Sequence, residues 1–208
     1  MGYFDSHYIS NSDLKRLRKM IDPKFQDPAD LEEIFAFGTL VHALIFEPHK
    51  ADREHKDFGL AMDMAKAFMN HQLCRQILHV HDLRREHEFY RSDVFGVPAR
   101  CKADAESKEL DMIFEYKGLG VTSEKAFEDA ISRFDYDQAV PWYLDVSIRK
   151  RYLLVSGSKK APKRLFIRLI DRNHQYYHQG LEKVYKAIKL FLETFPEYRR
   201  ENHELQIN

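Results

Sequence analysis

The sequence predicts an α/β fold with a mixed central β-sheet flanked by helices. Three observations carry this. Helix-period apolar stripes occupy the N-terminal part of the chain. The period changes to two near Val97. A helix-period stretch, long enough for a crossover connection, then separates two pairs of apolar strands.

The elements follow in order. "YISNSDLKRLRKMI" reads as a helix capped by Ser10, Asn11 or Ser12, with Leu14, Leu17 and Ile21 as its apolar stripe. "DPADLEEIFAFGTLVHALIFEP" reads as a second helix, with Asp30, Glu32 and Glu33 at its N-terminal end and Pro48 as its stop. "KDFGLAMDMAKAFMNHQLCRQIL" reads as one amphipathic helix, and "HVHDLRREH" as a solvated connection. Val97, Ala99, Cys101 and Ala103 alternate with Pro98, Arg100, Lys102 and Asp104, which is a strand. A turn near Glu106–Lys108 leads to the strand "LDMIFEYKG". "SEKAFEDAISRFDYDQAVPWYLDVS" reads as helical, with a break expected near Pro141. Strands "RYLLVSG" and "RLFIRLI" enclose the basic loop "SGSKKAPKR", and a last helix packs through Leu181, Val184, Ile188 and Phe191. One domain over residues 1–208 is expected: a helical part at 1–85, a sheet core with its crossover helix at 86–172, and a C-terminal helix at 173–208.

Composition narrows the function classes. Of 208 residues 44% are hydrophobic, enough for a sizeable core, and 33 basic residues balance 33 acidic ones. That balance argues against a histone-like polycation but leaves room for a local basic groove. Its candidates are "KRLRK" at 15–19, "RKR" at 149–151 and "KKAPKR" at 159–164, each equally readable as a solvated face. Cys74 and Cys101 have no paired spacing, which fits a reducing compartment and excludes a four-cysteine metal site within this chain. No signal peptide is seen and no apolar run is long enough to span a bilayer, so a cytoplasmic location is expected.

The strand "LDMIFEYKGLG" raises the chemical question. Glu115 and Lys117 share one face, Tyr116 points the other way, and Gly118 and Gly120 release the chain. The plain reading is a surface ion pair at the wet end of a strand. Asp104, eleven residues earlier, meets Glu115 only if the hairpin is staggered or bent, and the sequence leaves that register open. Two carboxylates there would make a hard-oxygen site suited to Mg²⁺, with a lysine beside it to orient water or stabilise charge.

Asp104 followed by Glu115-x-Lys117 at a strand end resembles the PD-(D/E)XK nuclease core. "ISNSDLKRL", "FGTLVHALIFEP", "GVPARCKAD", "FEYKG" and "FDYDQAVPWYLD" occur in the order seen in RecB-like nucleases. They are most similar to the exodeoxyribonuclease VIII type of phage and prophage recombination exonuclease, over residues 8–147. The resemblance implies a restriction-endonuclease-like core and an Mg²⁺-dependent exonuclease, with Mn²⁺ as a substitute, acting on duplex DNA ends in recombination or repair. It implies His42, Asp104, Glu115 and the Tyr116 carbonyl as metal ligands, Lys117 as the catalytic lysine, Gln138 as a supporting catalytic residue and Ser12 as a DNA-phosphate contact. A homo-oligomer and a single-strand annealing protein as partner are further implications. Alternatives within the same fold are a catalytically inactive DNA-binding module and a nicking or structure-specific endonuclease. Residue by residue the plainer readings are a core histidine for His42, a turn acid paired with Arg100 or Lys102 for Asp104, a helix-surface amide for Gln138 and a helix cap for Ser12. An imidazole in the apolar helix "FAFGTLVHALIF" is expected to stay neutral. The chain departs from its relatives after the lysine, where "EYKGLG" stands in place of Asp-x-Lys-Thr-Thr.

Overall fold

The computed structural model describes residues 7–21 and 30–198. The part of the expected second helix before Asp30, and both chain ends, lie outside the described residues. Helices α1 (Asn11–Ile21), α2 (Leu31–Phe46), α3 (Phe58–Asn70) and α4 (Gln72–Leu78) precede strands β1 (Arg84–Val94), β2 (Val97–Ser107) and β3 (Met112–Leu119). Helices α5 (Glu124–Arg133) and α6 (Tyr136–Ser147) lead to β4 (Arg151–Ser158), β5 (Leu165–Asp171) and α7 (Gln175–Thr194). The sheet order is β1-β2-β3-β4-β5. β3 and β4 are parallel and the other neighbours antiparallel, as the crossover through α5 and α6 requires.

Side-chain alternation splits the core in two. Met112, Phe114, Tyr116, Leu153 and Val155 pack against α2–α4. Ile113, Leu119, Tyr152, Leu154 and Phe166 pack against α5–α7 on the other face. This is the mixed α/β architecture expected from the sequence, with helices on both faces of the sheet.

Three local readings are corrected. The third expected helix is two, because His71 is extended (φ −73°, ψ 128°). The helix after β3 breaks at Asp135 (φ 53°) rather than at Pro141, which sits inside α6. Proline there removes the N–H that would have bonded the Asp137 carbonyl. That carbonyl faces α7, where a Cβ on Gly180 would lie 1.9 Å from it, so glycine is what lets the two helices approach. Third, "RREH" is no connection but the start of β1, an edge strand whose charged residues obscure its period. The turn Phe95–Gly96, both at positive φ, closes the β1–β2 hairpin.

Candidate active site

The site forms where the sheet loses its regularity. β2 pairs with β3 from Ser107–Met112 to Ala105–Phe114 and then stops. The next donors turn to carboxylates: Asp104 N–H donates to Glu115 Oε1 at 3.2 Å, and Tyr116 N–H to Asp104 Oδ2 at 2.7 Å. Side chains thus replace ladder bonds at the point where the two strands part. Beyond it, α6 satisfies β2: Trp142 Nε1–H donates to the Arg100 carbonyl at 2.9 Å and the Tyr143 hydroxyl to that of Lys102 at 3.2 Å.

A bend in β2 aims Asp104. Ala103 packs in the α5–α7 core and Ala105 in the α2–α4 core, although i and i+2 share a face in a regular strand. Opposite the bend, β1 deviates too. Arg85 faces Ala105 and His87 faces Ala103, and between them Glu86 adopts φ 52°. A left-handed glutamate costs about 1–2 kcal/mol and is uncommon inside a strand.

These deviations converge on one point. His42 Nε2, from α2, lies 3.1 Å from Asp104 Oδ1 and 3.2 Å from Glu86 Oε1. The three ligand atoms lie within 4.8 Å of one another. The imidazole nitrogen is buried yet makes no hydrogen bond of proper direction. Two anionic oxygens and a poorly directed nitrogen around one point are a donor set that suits a divalent cation, with the hard oxygens favouring Mg²⁺ or Mn²⁺.

Glu115 and Lys117 adjoin this centre. Glu115 is 3% exposed, so the pair is no surface ion pair. Its Oε2 accepts from Lys117 Nζ at 2.8 Å while its Oε1 accepts from Asp104 N–H. The trio that could hold a metal contains Glu86, and Glu115, expected as a ligand, also bonds Lys117.

Electrostatics separates the carboxylates. Burial, aided by the Asp104 charge, pushes Glu115 up to about 7 against the pull of Lys117. Burial also opposes ionisation of Asp104, but the Lys117 ammonium and His42 outweigh it and hold Asp104 below its usual value. For Lys117 burial works against the charge, and the Glu115 and Asp104 carboxylates more than reverse it. His42 does not lie among apolar groups alone, as its helix suggests, but beside two carboxylates. Burial lowers its pKa, yet contact with Asp104 and the Glu86 charge bring it above the ordinary value. One mobile charge, a proton or a cation, is what this carboxylate pair demands.

The other expected residues lie as follows. Gln138 is 1% exposed, not on a helix surface, and its amide donates to Asn11 Oδ1 at 2.8 Å. Ser12 is exposed on α1. The cap of that helix is Ser10, whose hydroxyl and N–H both engage the Asp13 carboxylate. The Tyr116 side chain is buried against Phe68, away from the carboxylates. Of the basic clusters, "RKR" is committed elsewhere. Arg149 pairs with the fully buried Glu106, Lys150 pairs with Asp111, and Arg151 bonds the Leu110 carbonyl at the start of β3. Lys159 and Lys160 approach Gly118 and Gly120, just past Lys117, and Lys15 feels the Lys117 charge. A surface depression lined by Asp63, Lys66, Asn70, His71 and Lys163 lies between α3 and the β4–β5 hairpin and includes neither Asp104 nor Glu115.

Glu86 is the residue sequence reasoning misses. It sits among arginines in an edge strand, and only its register opposite Asp104 and its left-handed backbone reveal it.

Solved structures resemble this fold. A protein from Eubacterium rectale named as a candidate exonuclease superposes with a TM-score of 0.67 at 13% identity, over 99% of this chain and 90% of that chain. The two share a fold. Weaker likenesses are a phage-related exonuclease from Haemophilus somnus (TM-score 0.45, 14% identity, 88% of this chain and 94% of that one) and an alkaline exonuclease from Laribacter hongkongensis (TM-score 0.40, 13% identity, 92% and 90%). No protein-family model matches the sequence, and no curated protein is significantly similar to it. Among the described residues no helix is long and apolar enough to cross a membrane.

Proposed function

We propose that this chain is a divalent-metal-dependent deoxyribonuclease, an Mg²⁺ exonuclease acting on duplex DNA ends in recombination or repair. The observation that carries the reading is the convergence of His42, Glu86 and Asp104 beside the Glu115–Lys117 pair. The shared fold of the Eubacterium rectale protein, itself named as a candidate exonuclease, supports it. His42, Glu86 and Asp104 would hold the cation, with Glu115 and the Tyr116 carbonyl as nearby oxygens. A divalent cation bound there supplies Lewis-acid activation of water and neutralises phosphate charge.

The chain's own groups do the rest. Lys117, charged and fixed by Glu115, stabilises negative charge that develops on the phosphate. Glu115 Oε2 accepts from Lys117 Nζ, which keeps the ammonium charged and held at the site. Gln138 holds α6 to α1 through Asn11, and so supports the site from behind. Ser12 is a phosphate contact on the exposed face of α1. In this reading the chain is a single cytoplasmic nuclease domain, active as a homo-oligomer and working with a single-strand annealing protein.

The test is digestion of matched linear and covalently closed duplex DNA. Linear DNA should disappear with Mg²⁺ and persist in EDTA, while circles resist. Equal digestion of both would indicate an endonuclease. Binding without digestion of either would indicate an inactive binding module.

A further inference from the structure

We propose that Phe134 and Tyr136 form a stacking platform for an unpaired terminal base of the DNA strand entering the site, with Lys15 beside it neutralising a phosphate. The inference rests on the nuclease reading and adds how the end is gripped.

Phe134 is 44% exposed at the α5–α6 junction, where an apolar ring gains nothing from folding. It is not loosely held. The next residue, Asp135, is left-handed and tied to Arg18 and Lys183, so the junction is anchored to α1 and α7. Tyr136 lies 5.9 Å from Phe134 between ring centroids, tilted by 47°. The Arg133 guanidinium stands 4.5 Å over the Phe134 ring, and Lys15 Nζ is 5.7 Å from the Tyr136 ring and 3.0 Å from the Phe134 carbonyl. Two aromatic rings and two cations therefore share one rim.

That rim adjoins the chemistry. Lys117 shares the face of β3 that carries Ile113, and Tyr136 packs against that same α5–α7 side of the sheet. The platform sits on the Lys117 side of the centre, whereas His42 comes from α2 on the opposite face of the sheet. An exposed ring beside a half-buried one, flanked by basic groups, suits single-stranded nucleic acid, because every base has a π-face and every nucleotide a charge. Duplex DNA hides its base faces, so the occupant is a frayed or unpaired end.

The probes are duplexes with 5-iodouracil at the terminal nucleotide of either strand and a fluorophore remote from that end. Binding to the full-length chain is followed by anisotropy in Ca²⁺ in place of Mg²⁺, and photocrosslinks are mapped by mass spectrometry. Crosslinks should fall on Phe134. Phe134→Leu, which keeps an apolar side chain without a π-face, should weaken binding on the order of tenfold and abolish the crosslink. Phe134→Trp should retain both. DNA bound with crosslinks elsewhere, or Phe134→Leu binding like the parent, overturns the platform and leaves the nuclease reading intact. No binding of any DNA overturns both. Circular dichroism of each variant confirms that the fold is unchanged.

Discussion

Lys117 and Glu86 show what single residues decide. Lys117 is held by Glu115 at 2.8 Å and is not among the metal-ligating atoms. Lys117→Ala should therefore lower cleavage by about 10²–10³, roughly 3–4 kcal/mol, while DNA affinity and Mg²⁺ dependence change little. Arginine should rescue poorly, because its planar fork cannot replace a compact ammonium. Rates and affinities for both variants check this, and parental cleavage by Lys117→Ala would remove the lysine from the mechanism. Glu86 carries backbone strain together with a carboxylate. Asparagine tolerates the left-handed region better, so Glu86→Asn should melt no lower than the parent yet bind Mn²⁺ more weakly. A thermal melt alone and with Mn²⁺ reads both effects. The acid-x-lysine pair was legible because a strand's period puts i and i+2 on one face. Glu86 was not, since nothing local marks a residue whose role comes from register across a bend.

At the scale of elements, the sequence was readable where one period dominated and misleading where tertiary contacts cut across it. The alternation in β2 and β3 and the stripe of α7 were plain. His71 and Asp135 broke helices without a proline, while Pro141 stayed inside one because Gly180 leaves room on α7. That contact makes a prediction. Gly180→Ala would drive a methyl into the Asp137 carbonyl and Pro141, and should destabilise the protein by about 1–3 kcal/mol or more. Urea denaturation checks it, and an unchanged midpoint would mean that α6 and α7 shift apart at little cost. β1 was missed for the opposite reason: an edge strand needs no apolar period on its open side.

For the whole molecule, zero net charge conceals an uneven distribution. The β4–β5 loop presents Lys159, Lys160 and Lys163 at the Lys117 end of β3, whereas Arg149 and Lys150 are paired at the other end. The double variant Lys160→Glu, Lys163→Glu should weaken DNA binding and flatten its salt dependence, and Lys150→Glu should do neither. Equilibrium titrations at two or more salt concentrations distinguish them. The sequence displayed all three basic clusters alike, and only the fold shows which are committed to ion pairs.

The central claim is that one divalent cation is held by His42, Glu86 and Asp104. Electron paramagnetic resonance of Mn²⁺ titrated into the parent and into Asp104→Asn tests it most directly. The account predicts one tight Mn²⁺ site in the parent, weakened at least tenfold in the variant, with Mg²⁺ competing for it. Equal Mn²⁺ binding by parent and Asp104→Asn would contradict it.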